Sequence, residues 1–232
     1  MRIKINLLLL VIFTITNPSQ NKTITATLPE EDAIPITEDL MNEHGILNRV
    51  LLIYDEIIRR IDNQNEFSTT SLQNAITIIK TFIEDYHEKI EETYIFPLFE
   101  KHNRETKLIK TLRTQHQKGR AITTQLQKKL SSKDPLTQSQ KKQIRNLLHQ
   151  FIKMYRPHEA REDTVIFPQV RSLLSKKEFE KISEISDELE HKLFGQNGFN
   201  NIVHKVEQIE KELGIYQLDI FTPQINFNKQ KE

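Results

Sequence analysis

Between Thr37 and Leu174 the apolar residues recur at intervals of three and four rather than two. That is the period of an amphipathic helix, not of a strand. The pattern predicts four long helices. The first runs from about Thr37 to Asp62, with Leu40, His44, Leu47, Leu51, Tyr54 and Ile58 on one stripe. Thr37 stands where a capping residue belongs, with Glu38 and Asp39 in the first turn behind it. The second runs from about Ser71 to Glu100, and its stripe is Leu72, Ile76, Ile79, Ile83, His87, Ile90, Glu91 and Tyr94. The third, from about Glu105 to Leu130, carries Leu108, Leu112, His116, Gly119 and Leu126 and is broken by "SSKDP". The fourth, from about Leu136 to Leu174, carries Ile144, Leu148, Phe151, Tyr155, His158, Glu162 and Val165. Pro157 lies inside it and predicts a kink just ahead of His158, because proline lacks an N–H and crowds the preceding turn.

Two shorter helical stretches follow, about Lys177 to Leu193 and Gly198 to Leu213, with Gly214 placed to cap the second. Four long helices with short connections predict an all-α, up-down-up-down four-helix bundle over residues 37–175. Residues 176–232 read as a helical extension and tail, packed outside the bundle or across one end. No stretch rich in glycine, proline or serine divides the chain further. Five glycines and eight prolines in 232 residues are too few for the turns of a many-stranded sheet.

Ahead of the bundle the pattern changes. Arg2 and Lys4 precede a short apolar run, which gives way to Asn17, Pro18 and Ser19. A basic start, a short apolar core and a polar breaker are the marks of a secretory signal, here residues 1–26, followed by a linker over 27–36. The run is too short for a comfortable membrane span, which needs about 20 residues. The expectation is an exported chain, periplasmic or secreted, with no stable span after signal cleavage. Charge is nearly balanced at a formal net +1, so no basic excess exists to hold a phosphate backbone and nucleic acid is not a predicted partner. There is no cysteine, which excludes disulfides, thiol nucleophiles, iron–sulfur clusters and cysteine-ligated zinc. Any metal must be held by histidine and carboxylate.

Polar residues on the apolar stripes bear on that point. His44, His87, His116 and His158 fall one to each bundle helix, and Glu91 and Glu162 each follow a histidine by four. Four residues are one helical turn, so each His–Glu pair points the same way. Surface pairs at that spacing are common, but these two recur in phase. From His87 "HEKIEETYIFP" and from His158 "HEAREDTVIFP" share His, Glu, Glu, Thr, Ile, Phe and Pro in register. The repeating unit is a helical hairpin supplying one histidine and then His-x-x-x-Glu. Two buried carboxylates facing each other among imidazoles are costly unless a cation joins them. One copy makes half a site. Two copies about a pseudo-twofold axis supply a pair of metal ions with two bridging glutamates, leaving an open position on each metal. Imidazole with carboxylate suits iron, manganese or zinc.

These six residues and the repeated "IFP" resemble the hemerythrin family, in its hemerythrin-like cation-binding branch, over about Glu38 to Val170. The resemblance implies a non-haem di-iron centre, oxo- or hydroxo-bridged, inside a four-helix bundle. His44, His87, His116 and His158 would be terminal ligands, with Glu91 and Glu162 as bridges and zinc or manganese less favoured than iron. Oxygen-carrying members have a fifth histidine one turn after the third-helix histidine, where this chain has Arg120, and a bridging aspartate where this chain has Asp163 beside Glu162. The more symmetric set is similar to relatives that handle iron, O2, peroxide or NO.

Glu88, Glu159, Tyr86, Tyr155 and Gly119 are candidates for the layer behind the metals. Gly119 leaves room near the cluster or simply allows close helix packing. Arg120 reads as a surface charge. Phe96 and Phe167 fit either lids on the metal layer or ordinary core. His102, His149, His191 and His204 lack the partner pattern and read as surface or structural. The leading function is binding or detoxifying a small ligand (O2, H2O2 or NO). The alternatives are iron storage or sensing without turnover, and a structural or zinc-holding bundle acting as an interaction protein. Whether the chain is an enzyme, and its oligomeric state, stay open.

Overall fold

Six helices and one short 3-10 turn make up the regular structure of the described residues, with no strand among them. The computed structural model describes residues 35–132 and 134–225. The expected signal segment, most of the linker after it and the end of the tail lie outside them. Helix α1 is Ile36–Asp62, α2 spans 69–101, α3 is Thr106–Lys129 and α4 spans 138–173. Helices α5, Lys176–Phe194, and α6, Gly198–Leu213, follow. Helix α1 packs on α2 and α4, and α3 packs on the same two helices, which closes the four-membered ring.

Local chemistry sets most of the helix ends. Ser68 accepts the Ser71 N–H at 3.0 Å and opens α2. Thr137 with Gln140 opens α4, and Ser175 with Glu178 opens α5, each as a reciprocal capping box. The expected Thr37 cap is not used. Helix α1 begins behind Pro35, whose ring holds φ at −58°, and Thr37 lies within the first turn. Gly214 ends α6 in the left-handed conformation at φ 72°, donating its N–H back to the last turn.

The two "IFP" segments share one backbone solution. Glu91–Ile95 and Glu162–Ile166 are π-helical, and each leads into an α segment with proline in its first turn. Pro97 and Pro168 cannot donate the ordinary helical bond, and a wider turn just before them accommodates the missing donor and the ring. Helix α4 runs as regular α-helix through Pro157 to Arg161. The departure from α geometry therefore comes one turn beyond His158, not ahead of it.

The extension lies along the outside of the first hairpin rather than across an end. Helix α6 packs on α1 and α2, and α5 packs on α6 and α1. Arg49 grips Glu210 with both guanidinium arms, Arg60 donates to the Leu213 carbonyl at 2.6 Å, and Ser71 donates to Glu212 at 2.7 Å. The Ile36 N–H donates to Ser183 of α5 at 3.1 Å. Ile53 and Ile57 lie on the α1 line between Arg49 and Arg60 and are fully buried, as are Ile202, Val206, Ile209 and Leu213 of α6. The predicted apolar stripe of α1 is thus one of two.

Candidate metal centre

Each long helix delivers its histidine to the bundle axis at one level. His44, His87, His116, His158, Glu91 and Glu162 are all at most 3% exposed. The ligand atoms of His44, His87 and Glu91 lie within 4.8 Å of one another, and so do those of His116, His158 and Glu162. The carboxylates cross between these halves. Glu91 Oε2 is 3.6 Å from His87 Nε2 of its own hairpin and 3.4 Å from His116 Nε2 of the other. Glu162 Oε2 is 3.1 Å from His158 Nε2 and 3.5 Å from His44 Nε2. No carboxylate oxygen of Glu91 or Glu162 has a hydrogen-bond partner. The Nε2 atoms of His116 and His158 face each other at 3.1 Å. Inward-pointing imidazole lone pairs and orphaned carboxylate oxygens form a donor set that fits cations.

The other ring nitrogens are held from outside. His44 Nδ1 bonds Asp163 at 2.8 Å, His87 Nδ1 bonds Glu43 at 2.6 Å, His116 Nδ1 bonds Glu92 at 3.0 Å, and His158 Nδ1 bonds Gln115 at 2.9 Å. An acceptor on Nδ1 fixes the tautomer that leaves Nε2 free to ligate. The "IFP" phenylalanines supply the apolar wall. Phe96 stacks on His116 and Phe167 on His44, each with ring centroids 5.5 Å apart. Each therefore covers the first histidine of the opposite hairpin.

The family model for the hemerythrin HHE cation-binding domain matches residues 36–170, and a second match covers 107–196. The chain belongs to the hemerythrin family. It is also similar to uncharacterised proteins of Mycobacterium tuberculosis and Mycobacterium bovis, at 42% identity over 208 residues, covering 89% of this chain and 81% of theirs. No solved structure matches.

The electrostatics of this hemerythrin-like metal-binding domain follow from packing charge into the axis. Burial pushes the Glu91 carboxyl well up, and the facing Glu162 adds to the shift. Burial also acts on Glu162, but the His158 and His44 imidazoles outweigh it and hold that carboxyl well below its ordinary range. Without a cation the pair settles as one ionised and one neutral acid. Burial lowers His87 well below its ordinary value, and the nearby His44 charge lowers it further. Burial brings His116 down to about 4. Neutral imidazole is the form that binds a metal. Burial acts on His44 too, but the hydrogen bond to Asp163 and the Glu162 carboxylate 3.5 Å away outweigh it and raise that imidazole to about 10.

The structure places the remaining candidates around this layer. Glu88 is buried and accepts from the Tyr155 hydroxyl at 2.6 Å and from Arg120 at 2.8 Å. Glu159 accepts from Asn48 at 3.1 Å. Tyr86 meets Ser186 of α5 at 3.2 Å and lies beside Glu43. A Cβ on Gly119 would fall 2.0 Å from the Tyr155 hydroxyl, so glycine is what lets Tyr155 reach Glu88. Arg120 is not a simple surface charge. It bridges Glu88 and Glu92, and so already supplies the cation for the acidic group that those two form with His116. His102, His149, His191 and His204 are exposed and take no part. Sequence reading missed Glu43, Glu92, Gln115 and Asn48. Their signal was adjacency: each lies beside a ligand candidate or one turn along the helix from it.

Proposed function

We propose that this chain holds a pair of iron ions between its two hairpins and uses them to bind or detoxify O2, H2O2 or NO in an exported compartment. His44, His87, His116 and His158 would hold the pair as terminal ligands, with Glu91 and Glu162 between them. The observation that carries the reading is the crossing of the carboxylates, each with its Oε2 within 3.6 Å of an imidazole from both hairpins and with no partner of its own. Such a pair, when bound, would supply electron exchange with a small ligand.

The chain's own groups do the rest. Glu43, Asp163, Glu92 and Gln115 hold the imidazole rings in place. Phe96 and Phe167 keep water from two of the histidines. Near-complete burial of all six donors restricts the ligand to a few atoms. Export is supported by the basic, then apolar, then polar order of the first 19 residues.

The test is aerobic loading of the purified chain with ferrous iron, reading metal per chain with the near-ultraviolet and visible spectrum. The expected result is a pair of irons with bridged-ferric absorption, lost in Glu91→Ala and in Glu162→Ala, followed by consumption of peroxide or NO. Tight zinc with no iron and no absorbance would replace this reading with a structural metal bundle.

A further inference from the structure

The outer layer of the centre has four positions placed by the pseudo-twofold axis, and at one of them the residue type breaks the symmetry. Asp163 and Glu92 each follow a bridging glutamate and each hold the first histidine of the opposite hairpin. Glu43 and Gln115 each precede a first histidine and each hold the second histidine of their own hairpin. Three of these acceptors are carboxylates and the fourth, Gln115, is an amide. The difference falls on one side. His44 and His87 are both backed by carboxylates, at 2.8 and 2.6 Å. His116 and His158 are backed by one carboxylate and one amide, at 3.0 and 2.9 Å. Glu92 is moreover shared with Arg120, which offsets its charge, whereas Glu43 is 1% exposed and, among the described residues, has no arginine or lysine on it.

A carboxyl group on Nδ1 is a stronger acceptor than an amide and makes the imidazole a stronger donor to a metal. An amide offers only a dipole. We propose that the two metal positions are unequal: the His44–His87 position binds first and more tightly, with Glu43 and Gln115 as the positioning residues that set the order. This rests on the paired-metal reading above.

Two dications a few ångströms apart repel, so even a symmetric site loads in two steps. The decisive quantity is which position is filled at one equivalent. We would titrate the metal-free chain with Co2+ and follow the paramagnetically shifted Nδ1–H resonances, assigned with His87→Gln and His158→Gln. At one equivalent the wild-type chain is expected to show the His44 and His87 signals in at least tenfold excess. Glu43→Gln should weaken the first step by 10- to 100-fold, the range for removing such an outer partner. Gln115→Glu should tighten the second position, and the double exchange should reverse the filling order. Equal populations at one equivalent in wild type, or an order indifferent to both exchanges, would overturn the proposal while leaving the paired centre intact. Failure to bind any Co2+, Zn2+ or Fe2+ would instead remove the centre, and the proposal with it.

Discussion

The two hairpins are written as copies, yet they live in different surroundings. The first, α1 with α2, is apolar on two sides, because α5 and α6 cover its outer face. The second, α3 with α4, packs chiefly on the bundle, and its outer positions are charged or polar and exposed. The repeat carries the inner chemistry twice; the cover exists once. A duplicated unit thus yields a symmetric donor set without a symmetric molecule. The asymmetry enters through what packs behind each half: Ser183 and Ser186 of α5 reach Ile36 and Tyr86 of the first hairpin, while Arg120 and Tyr155 of the second hairpin meet Glu88 of the first.

The comparison breaks most severely at the cover. Val206 is fully buried on α6, and Val206→Asp places an unpaired charge there, at an expected cost of about 3 kcal/mol or more. Hydrogen exchange should then accelerate along α1 and the first half of α2 and leave α3 and α4 less affected. Uniform acceleration would mean that the cover stabilises both hairpins alike. A smaller effect is expected at Gly119, whose counterpart three residues after His44 is Leu47. Gly119→Ala pushes a methyl into the Tyr155 hydroxyl and should cost about 1–3 kcal/mol in thermal melts. A Tyr155→Phe background should return only part of it, because two ring carbons still lie 2.8 and 2.9 Å from the new methyl, whereas Tyr155→Leu should return more. A chain stabilised by Gly119→Ala alone, as helix propensity predicts, would show that Tyr155 yields freely.

The smallest effect concerns the α1–α5 seam. Burial, then the charges of Glu43, Asp187 and Glu190, raise the Asp39 carboxyl from 3.8 to about 7. A raised folded-state value means the unfolded chain releases this proton first. Stability from this group is therefore full below its unfolded value near 3.8 and is lost as pH rises toward 7. Asp39→Asn should raise the melting temperature modestly at about pH 8 and leave it nearly unchanged at about pH 4. The size is small because Asp39 is part-exposed. Equal shifts at both pH values would assign the gain to packing instead.

How much of this was legible beforehand differs by layer. The helices and the six inner residues could be read because helical period and His-x-x-x-Glu spacing are local facts, repeated in phase. The second stripe of α1 was also present in the sequence, in Ile46, Val50, Ile53 and Ile57, but one stripe suffices for a bundle and nothing local demanded two. The π-helical turns were not readable as such. Proline signals a disturbed helix, and whether the helix bends or widens depends on what the next turn must pack against. The outer partners were hidden for another reason. Glu43, Glu92, Gln115 and Asp163 sit beside ligand candidates in sequence, where neighbours on a helix point about 100° apart, yet each serves a histidine on a different helix.

The sequence by itself determined the element type, the duplicated hairpin, the family and the donor set at the axis. Periodicity, spacing and burial cost act along the chain and need no partner to be counted. Only the tertiary structure decided which carboxylate crosses to which imidazole, that Arg120 takes the cation's place between Glu88 and Glu92, that α5 and α6 cover one hairpin, and that Gln115 stands where symmetry would put a second Glu43. Each of these depends on the rotation of one helix about its axis relative to another. Close packing of the whole bundle sets that angle, and no stretch of sequence contains it.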